Sequence, residues 1–112
     1  MKIFHNPRCG KSRETLKLIQ DAGIEPEIIE YLTNVPSEKE LTEIVGLLGI
    51  SPEELVRKNE EDYKTHFKGK KLSNVEWIKA MITYPKLIER PIVVKNKKAV
   101  LGRPPENVRA LF

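Results

Sequence analysis

The chain has 112 residues, 39% hydrophobic and 32% charged, with one cysteine. That is enough for one domain with a hydrophobic core and no disulfide staples. A lone cysteine excludes an internal disulfide and suits a reducing, cytoplasmic compartment. No apolar stretch approaches the roughly 20 residues that span a bilayer, and no basic-then-apolar leader opens the chain, so no membrane role is expected.

The net charge of +4 is unevenly placed: residues 1–56 carry 6 Lys/Arg against 10 Asp/Glu, residues 57–112 carry 14 against 6. A basic second half can serve an anionic ligand. The clump Lys64, Lys68, Lys70 and Lys71 has no repeated aromatic stacking partners. It reads as solvated charge, and nucleic-acid binding is not expected.

Lys2-Ile3-Phe4-His5 reads as a short opening strand, broken at Asn6-Pro7 because proline cannot continue a ladder. A helix follows from about Gly10 to Ala22, with Leu16, Leu18, Ile19 and Ala22 on its apolar side and Gly23 as its stop. Glu27 to Leu32 reads as a second strand. Ser37 with Glu40, Ser51 with Glu54 and Ser73 with Glu76 each fit a capping box, so three helix starts are predicted. Leu41, Ile44, Val45 and Leu48 form one buried face, and Val75, Ile78, Met81 and Ile82 another. Trp77 beside that second stripe reads as core or groove wall. Ile92–Val94 and Ala99–Leu101 flank a hairpin turn centred on Asn96, and a terminal helix from Pro104-Pro105-Glu106 buries Val108 and Leu111. The order is β-α-β, a helical insert at about 36–86, then β-β-α. It predicts an α/β fold with a mixed sheet and a parallel pair joined by the first helix.

The chemistry centres on Cys9. It lies between a proline-containing turn and a helix, near the unsatisfied N–H groups of the helix N-terminus, which favour thiolate over thiol. Arg8, Lys11 and Arg13 add positive charge. Free cysteines are often buried and inert, but a cysteine within Arg8-Cys9-Gly10-Lys11-Ser12-Arg13 is a poor core residue and a good nucleophile. Ser12 occupies the place of the second cysteine of a C-x-x-C motif, so any adduct of Cys9 needs an external thiol to resolve it. His5 is a candidate base or hydrogen-bond partner of the thiolate, and equally a structural donor. His66 reads as surface. Arg57, Arg90 and Arg103 stand beside apolar or turn residues, where guanidinium groups can converge on a tetrahedral oxyanion. The isomer of the Arg90-Pro91 bond cannot be read from spacing.

The run His5-Asn6-Pro7-Arg8-Cys9-Gly10-Lys11-Ser12-Arg13 closely resembles the glutaredoxin-coupled arsenate reductase (ArsC) family. So do Tyr31-Leu32, Arg57-Lys58, Leu87 to Val94 and Gly102-Arg103-Pro104-Pro105-Glu106. The resemblance runs nearly end to end. It implies a thioredoxin-like fold with an inserted helical region and a mixed four-stranded sheet. It implies catalytic Cys9 with His5 close to the thiol and the Ser12 hydroxyl able to bond it, an oxyanion site of Arg57, Arg90 and Arg103, and a cis-proline at Pro91. The implied reaction converts arsenate to arsenite, with glutathione as co-substrate, glutaredoxin as partner, and no metal or bound cofactor. A monomer is expected. Lys11 stands where such reductases often carry threonine, adding charge and bulk at the loop.

Two other readings share these residues. One is a glutathione-dependent thiol transferase acting on glutathionylated substrates. The other is an Spx-like regulator that binds RNA polymerase; such regulators usually carry a C-x-x-C switch, which Ser12 removes here.

Overall fold

The computed structural model describes all 112 residues, which fold as two compact units, Met1–Asn34 with Arg90–Phe112, and Val35–Glu89. The residues of the helical insert expected at about 36–86 fall within the second unit.

The first unit holds β1 (Lys2–His5), α1 (Gly10–Asp21), β2 (Glu27–Glu30), β3 (Ile92–Lys95) and β4 (Lys98–Leu101), followed by a 3-10 helix over Pro105–Leu111. The sheet order is β2-β1-β3-β4. β1 pairs with β2 in parallel, Ile3 opposite Ile28 and His5 opposite Glu30. It pairs with β3 antiparallel, Phe4 opposite Ile92, and β3 pairs with β4 antiparallel. This is the mixed four-stranded sheet of a thioredoxin-like fold. The central strands bury Ile3, Phe4, Ile92 and Val93, and a core cluster joins Ile3 and Val93 to Ile19 of α1 and to Val108 and Leu111 of the 3-10 helix.

Local chemistry sets the boundaries. Gly23 takes a left-handed φ of 80° just past α1, and the Gly23 N–H closes on the Gln20 carbonyl. β2 stops two residues short of the expected Leu32 because the N–H groups of Thr33 and Asn34 fold back onto the Glu30 carbonyl. Asn96, at φ 55°, makes the tight turn between β3 and β4. The terminal helix is of 3-10 type, led in by two consecutive prolines.

The second unit holds α2 (Glu38–Leu48), a 3-10 turn at Pro52–Leu55, α3 (Glu61–His66), α4 (Asn74–Thr83) and a 3-10 turn at Pro85–Leu87. Ser37 Oγ accepts the Glu40 N–H. Ser73 and Glu76 exchange both bonds of a capping box. At Ser51 the Glu54 carboxylate accepts the Ser51 N–H at 2.6 Å, but the helix runs only one 3-10 turn. α3 has no buried residue and hence no apolar stripe to announce it. Trp77 is buried, with the rings of Phe67 and Tyr63 centred 5.8 and 6.3 Å away. The exposed His66 stacks on Tyr84 at 4.7 Å. An antiparallel bridge joins Val56 to Ile88, extended by the bonds Arg57 N–H to Leu87 O and Glu89 N–H to Leu55 O. No helix is long and apolar enough to cross a membrane.

Candidate active site

Sheet topology assembles one edge of the first unit. β1 and β2 run the same way, so the Cys9 loop after β1 and Tyr31 after β2 leave the sheet on the same side. β3 and β4 are successively reversed, so Arg90 before β3 and Gly102-Arg103 after β4 reach that edge too.

The loop itself is built by Asn6. Its side-chain oxygen accepts the Arg8 N–H and its carbonyl accepts the Cys9 N–H, both at 3.0 Å. That double turn delivers Cys9 to the N-cap of α1, where its own carbonyl accepts the Arg13 N–H. Cys9 is half-buried. Burial pushes its thiol up. The Ser12 N–H, the Arg90 guanidinium and the Lys11 N–H, all bonded to the sulfur, outweigh burial and hold the thiol below its ordinary range. The helix-terminus effect expected from sequence is therefore present. The cation on the sulfur is Arg90, brought in by β3. Lys11 acts through its backbone, and Arg13 is turned to the Pro7 carbonyl at 2.9 Å.

Ser12 has two separate connections. Its backbone N–H reaches Cys9. Its buried hydroxyl accepts the Asn6 N–H at 3.0 Å and bonds His5 Nδ1 at 2.6 Å. The hydroxyl thus ties His5 to the loop, and the bond to sulfur comes from the main chain. Burial lowers the pKa of His5; Glu30, its register partner on β2, works against this, and Arg13 adds to it. The net shift favours the neutral imidazole over the imidazolium.

Arg90 precedes Pro91 through a cis peptide bond, and the Arg103-Pro104 bond is cis as well. The first agrees with the family resemblance; the second was not anticipated. Burial works against the charge of Arg90, and its bonds to Cys9 and to the Tyr31 oxygen more than restore it. Arg103 Nη1 donates to the Arg90 carbonyl at 3.1 Å. Gly102 makes that approach feasible. Its N–H donates to the Pro91 carbonyl, and a Cβ there would stand 2.5 Å from Thr15 Oγ1 and 2.8 Å from Pro91 Cγ.

Cys9, His5, Ser12, Arg90 and Arg103 therefore all belong to the first unit, while Arg57 lies in the second. There its guanidinium pairs with Glu60 at 3.5 Å and Glu89 at 3.4 Å. Asn6, Thr15, Gly102 and Tyr31 were not singled out as working residues from the sequence. Asn6 before proline is a turn signal that could have marked it. The others show themselves only once the strands are in register. No group of three or more His, Cys, Asp and Glu residues is placed to hold a metal ion.

Fold and site together define a thioredoxin-like protein whose single cysteine stands at the N-cap of its first helix. The chain belongs to the ArsC family, whose model matches residues 4–111. It is 42% identical over 114 residues to an arsenate reductase of Neisseria meningitidis, covering 100% of this chain and 97% of that protein. It is 48% identical over 110 residues to the uncharacterized protein YfgD of Escherichia coli, covering 96% and 92%. The solved structure of an arsenate reductase from Vibrio cholerae superposes with a TM-score of 0.95 at 46% identity, covering 100% of this chain and 98% of that one.

Proposed function

We propose that the chain is an arsenate reductase in which Cys9 is the nucleophile and glutathione and glutaredoxin supply the electrons. The observation that carries this reading is the Cys9 sulfur receiving two helix N-terminal N–H groups and the Arg90 guanidinium. That arrangement makes a thiolate and sets a cation where an oxyanion would approach it.

In this mechanism the Cys9 thiolate attacks arsenic(V), and an As–O bond breaks with release of hydroxide or water. Arg90 and Arg103 neutralise charge on the remaining oxygens. Arg57 stands on the second unit, paired there with Glu60 and Glu89, and its part in holding the oxyanion rests on the family resemblance alone. Glutathione then attacks the thiol–arsenic adduct, and glutaredoxin reduces the mixed species, releasing arsenite and restoring Cys9. Overall, arsenate and two thiols give arsenite, one disulfide and water, so arsenic gains the two electrons the thiols lose. An external thiol is required because the chain has no second cysteine. His5 and Ser12 shape the loop that presents Cys9. A monomer in the reducing cytoplasm fits this use of one thiol.

The test is a panel of arsenate and a glutathionylated protein, each with glutathione and glutaredoxin. Arsenate-dependent consumption of reductant with arsenite as product is expected. Turnover of the glutathionylated protein alone would replace this reading with a thiol transferase.

A further inference from the structure

Two pieces of chain assemble the site: the turn that carries Cys9 into α1, and the stretch Gly102-Arg103 that follows β4. Two bonds fasten the second piece to the start of β3. The Gly102 N–H donates to the Pro91 carbonyl at 2.9 Å, and Arg103 Nη1 donates to the Arg90 carbonyl at 3.1 Å. The reach across to the cysteine-bearing helix is made by Thr15, a side chain that the proposed chemistry does not use.

We propose that Thr15 is a positioning residue of the thiol site: its hydroxyl, set between the Lys11 carbonyl in the first turn of α1 and the Gly102 carbonyl after β4, fixes where Arg103 stands relative to Cys9. Three observations carry it. Thr15 is fully buried, so its hydroxyl is withdrawn from water and needs partners in the protein. The oxygen lies 2.8 Å from the Lys11 carbonyl and 3.4 Å from the Gly102 carbonyl, with one proton to share between two acceptors. The first bond is the ordinary back-bond of a helical threonine; the second joins residues 87 positions apart. And Gly102 is fitted to that side chain: a Cβ there would stand 2.5 Å from Thr15 Oγ1 and 3.0 Å from Thr15 Cγ2, so the glycine backbone lies against both branches. β-branching leaves the threonine little freedom at χ1, so the oxygen holds its place. The Gly102 carbonyl belongs to the peptide that carries the Arg103 N–H, so holding that carbonyl sets the direction in which Arg103 leaves β4. Valine would fill the same space, but it would turn a methyl to both carbonyls. Thr15 acts through Arg103, not on the sulfur.

For turnover this rests on the arsenate reductase reading, under which Thr15→Val should raise the arsenate KM and Thr15→Ser should restore it. The deciding readout does not rest on it. Cys9 is alkylated with iodoacetate, an anion, and with iodoacetamide, its neutral counterpart. Both react with the thiolate, so the ratio of their rates cancels the ionisation of the thiol and reads the positive charge around it. Arg103→Met is expected to lower the iodoacetate-to-iodoacetamide ratio about threefold, and Thr15→Val roughly twofold. Thr15→Ser, which keeps the hydroxyl, should hold the wild-type ratio, and in the Arg103→Met background Thr15→Val should add nothing. The proposal is overturned by a wild-type ratio in Thr15→Val or in Arg103→Met, by an equal fall with and without Arg103, or by Thr15→Ser falling as far as Thr15→Val. If Thr15→Val fails to fold, Gly102→Ala parts the same two groups from the other side. The same fall is then expected, and a wild-type ratio overturns the proposal. A wild type whose ratio behaves as described yet leaves arsenate untouched would refute the proposed function and leave the role of Thr15 standing.

Discussion

Replacing Gly102 by alanine is a severe local test of how the site is packed. The new Cβ would lie 2.5 Å from Thr15 Oγ1, 2.8 Å from Pro91 Cγ and 3.0 Å from Thr15 Cγ2. Neither neighbour can give way easily. Thr15 is fully buried, β-branched and therefore stiff, and its hydroxyl already donates to the Lys11 carbonyl at 2.8 Å. Pro91 is a closed ring whose carbonyl holds the Gly102 N–H. The end of β4 must withdraw, which also strains the bond from Arg103 to the Arg90 carbonyl. Overpacking of this kind costs about 2–3 kcal/mol, the upper part of its usual range. With a urea m-value of about 1.5 kcal/mol/M for a protein of this size, the unfolding midpoint should fall by about 1.3–2 M. Gly46 is the control. It lies inside α2 with nothing within 4 Å of an added Cβ, so Gly46→Ala should stabilise by up to about 1 kcal/mol. Urea unfolding followed by circular dichroism reads both. Gly102→Ala within about 0.5 kcal/mol of wild type, the spread of an ordinary surface substitution, would refute the packing argument.

Ser12→Ala should separate the two connections of that residue. It strips a partner from buried His5 Nδ1 and the Asn6 N–H, costing about 1–3 kcal/mol in urea unfolding. Cys9 should still alkylate with a midpoint below the ordinary thiol range, because the Ser12 N–H remains. Cys9 itself links pH to stability. Its native pKa is lowered, so its contribution is fully present above the unfolded thiol value of about 8.5 and is lost as pH falls through the native pKa. Melting curves of wild type against Cys9→Ser should therefore diverge as pH rises across that window, and parallel curves would contradict the lowered pKa. Among the arginines, Arg57→Lys, Arg90→Lys and Arg103→Lys should each lose arsenate kcat/KM beyond Lys70→Ala and Lys97→Ala. The loss corresponds to about 2–4 kcal/mol when a charge-stabilising donor is removed and less where the ammonium substitutes in part. Equal behaviour of the two sets would place the oxyanion elsewhere.

Much of this architecture is legible in the residues because the signals are local. Capping serines, alternating apolar strands, Gly23 and Asn96 each act within a few positions, so periodicity and turn chemistry locate the elements. Cys9 is legible for the same reason, since proline-turn-cysteine-helix places sulfur at a helix terminus without tertiary information. What the local reading mistakes is the cation. Arg8, Lys11 and Arg13 are near in sequence, yet the guanidinium on the sulfur is Arg90, delivered 81 positions away by the antiparallel pairing of β3 with β1. The Ser12 hydroxyl likewise turns to His5, because β1 carries the imidazole under the loop. Thr15 and Gly102 matter only through register and close approach, which no spacing along the chain reports. α3 escapes notice because an exposed helix has no periodic stripe.

The central claim is that Cys9 reduces arsenate, and arsenite production by wild type and Cys9→Ser, with arsenate, glutathione and glutaredoxin in excess, tests it most directly. The account predicts steady arsenite formation by wild type, with one disulfide formed per arsenite, and none above background by Cys9→Ser, whose melting curve below the thiol's titration range should match wild type. Arsenite formation by Cys9→Ser within a few-fold of wild type would contradict it.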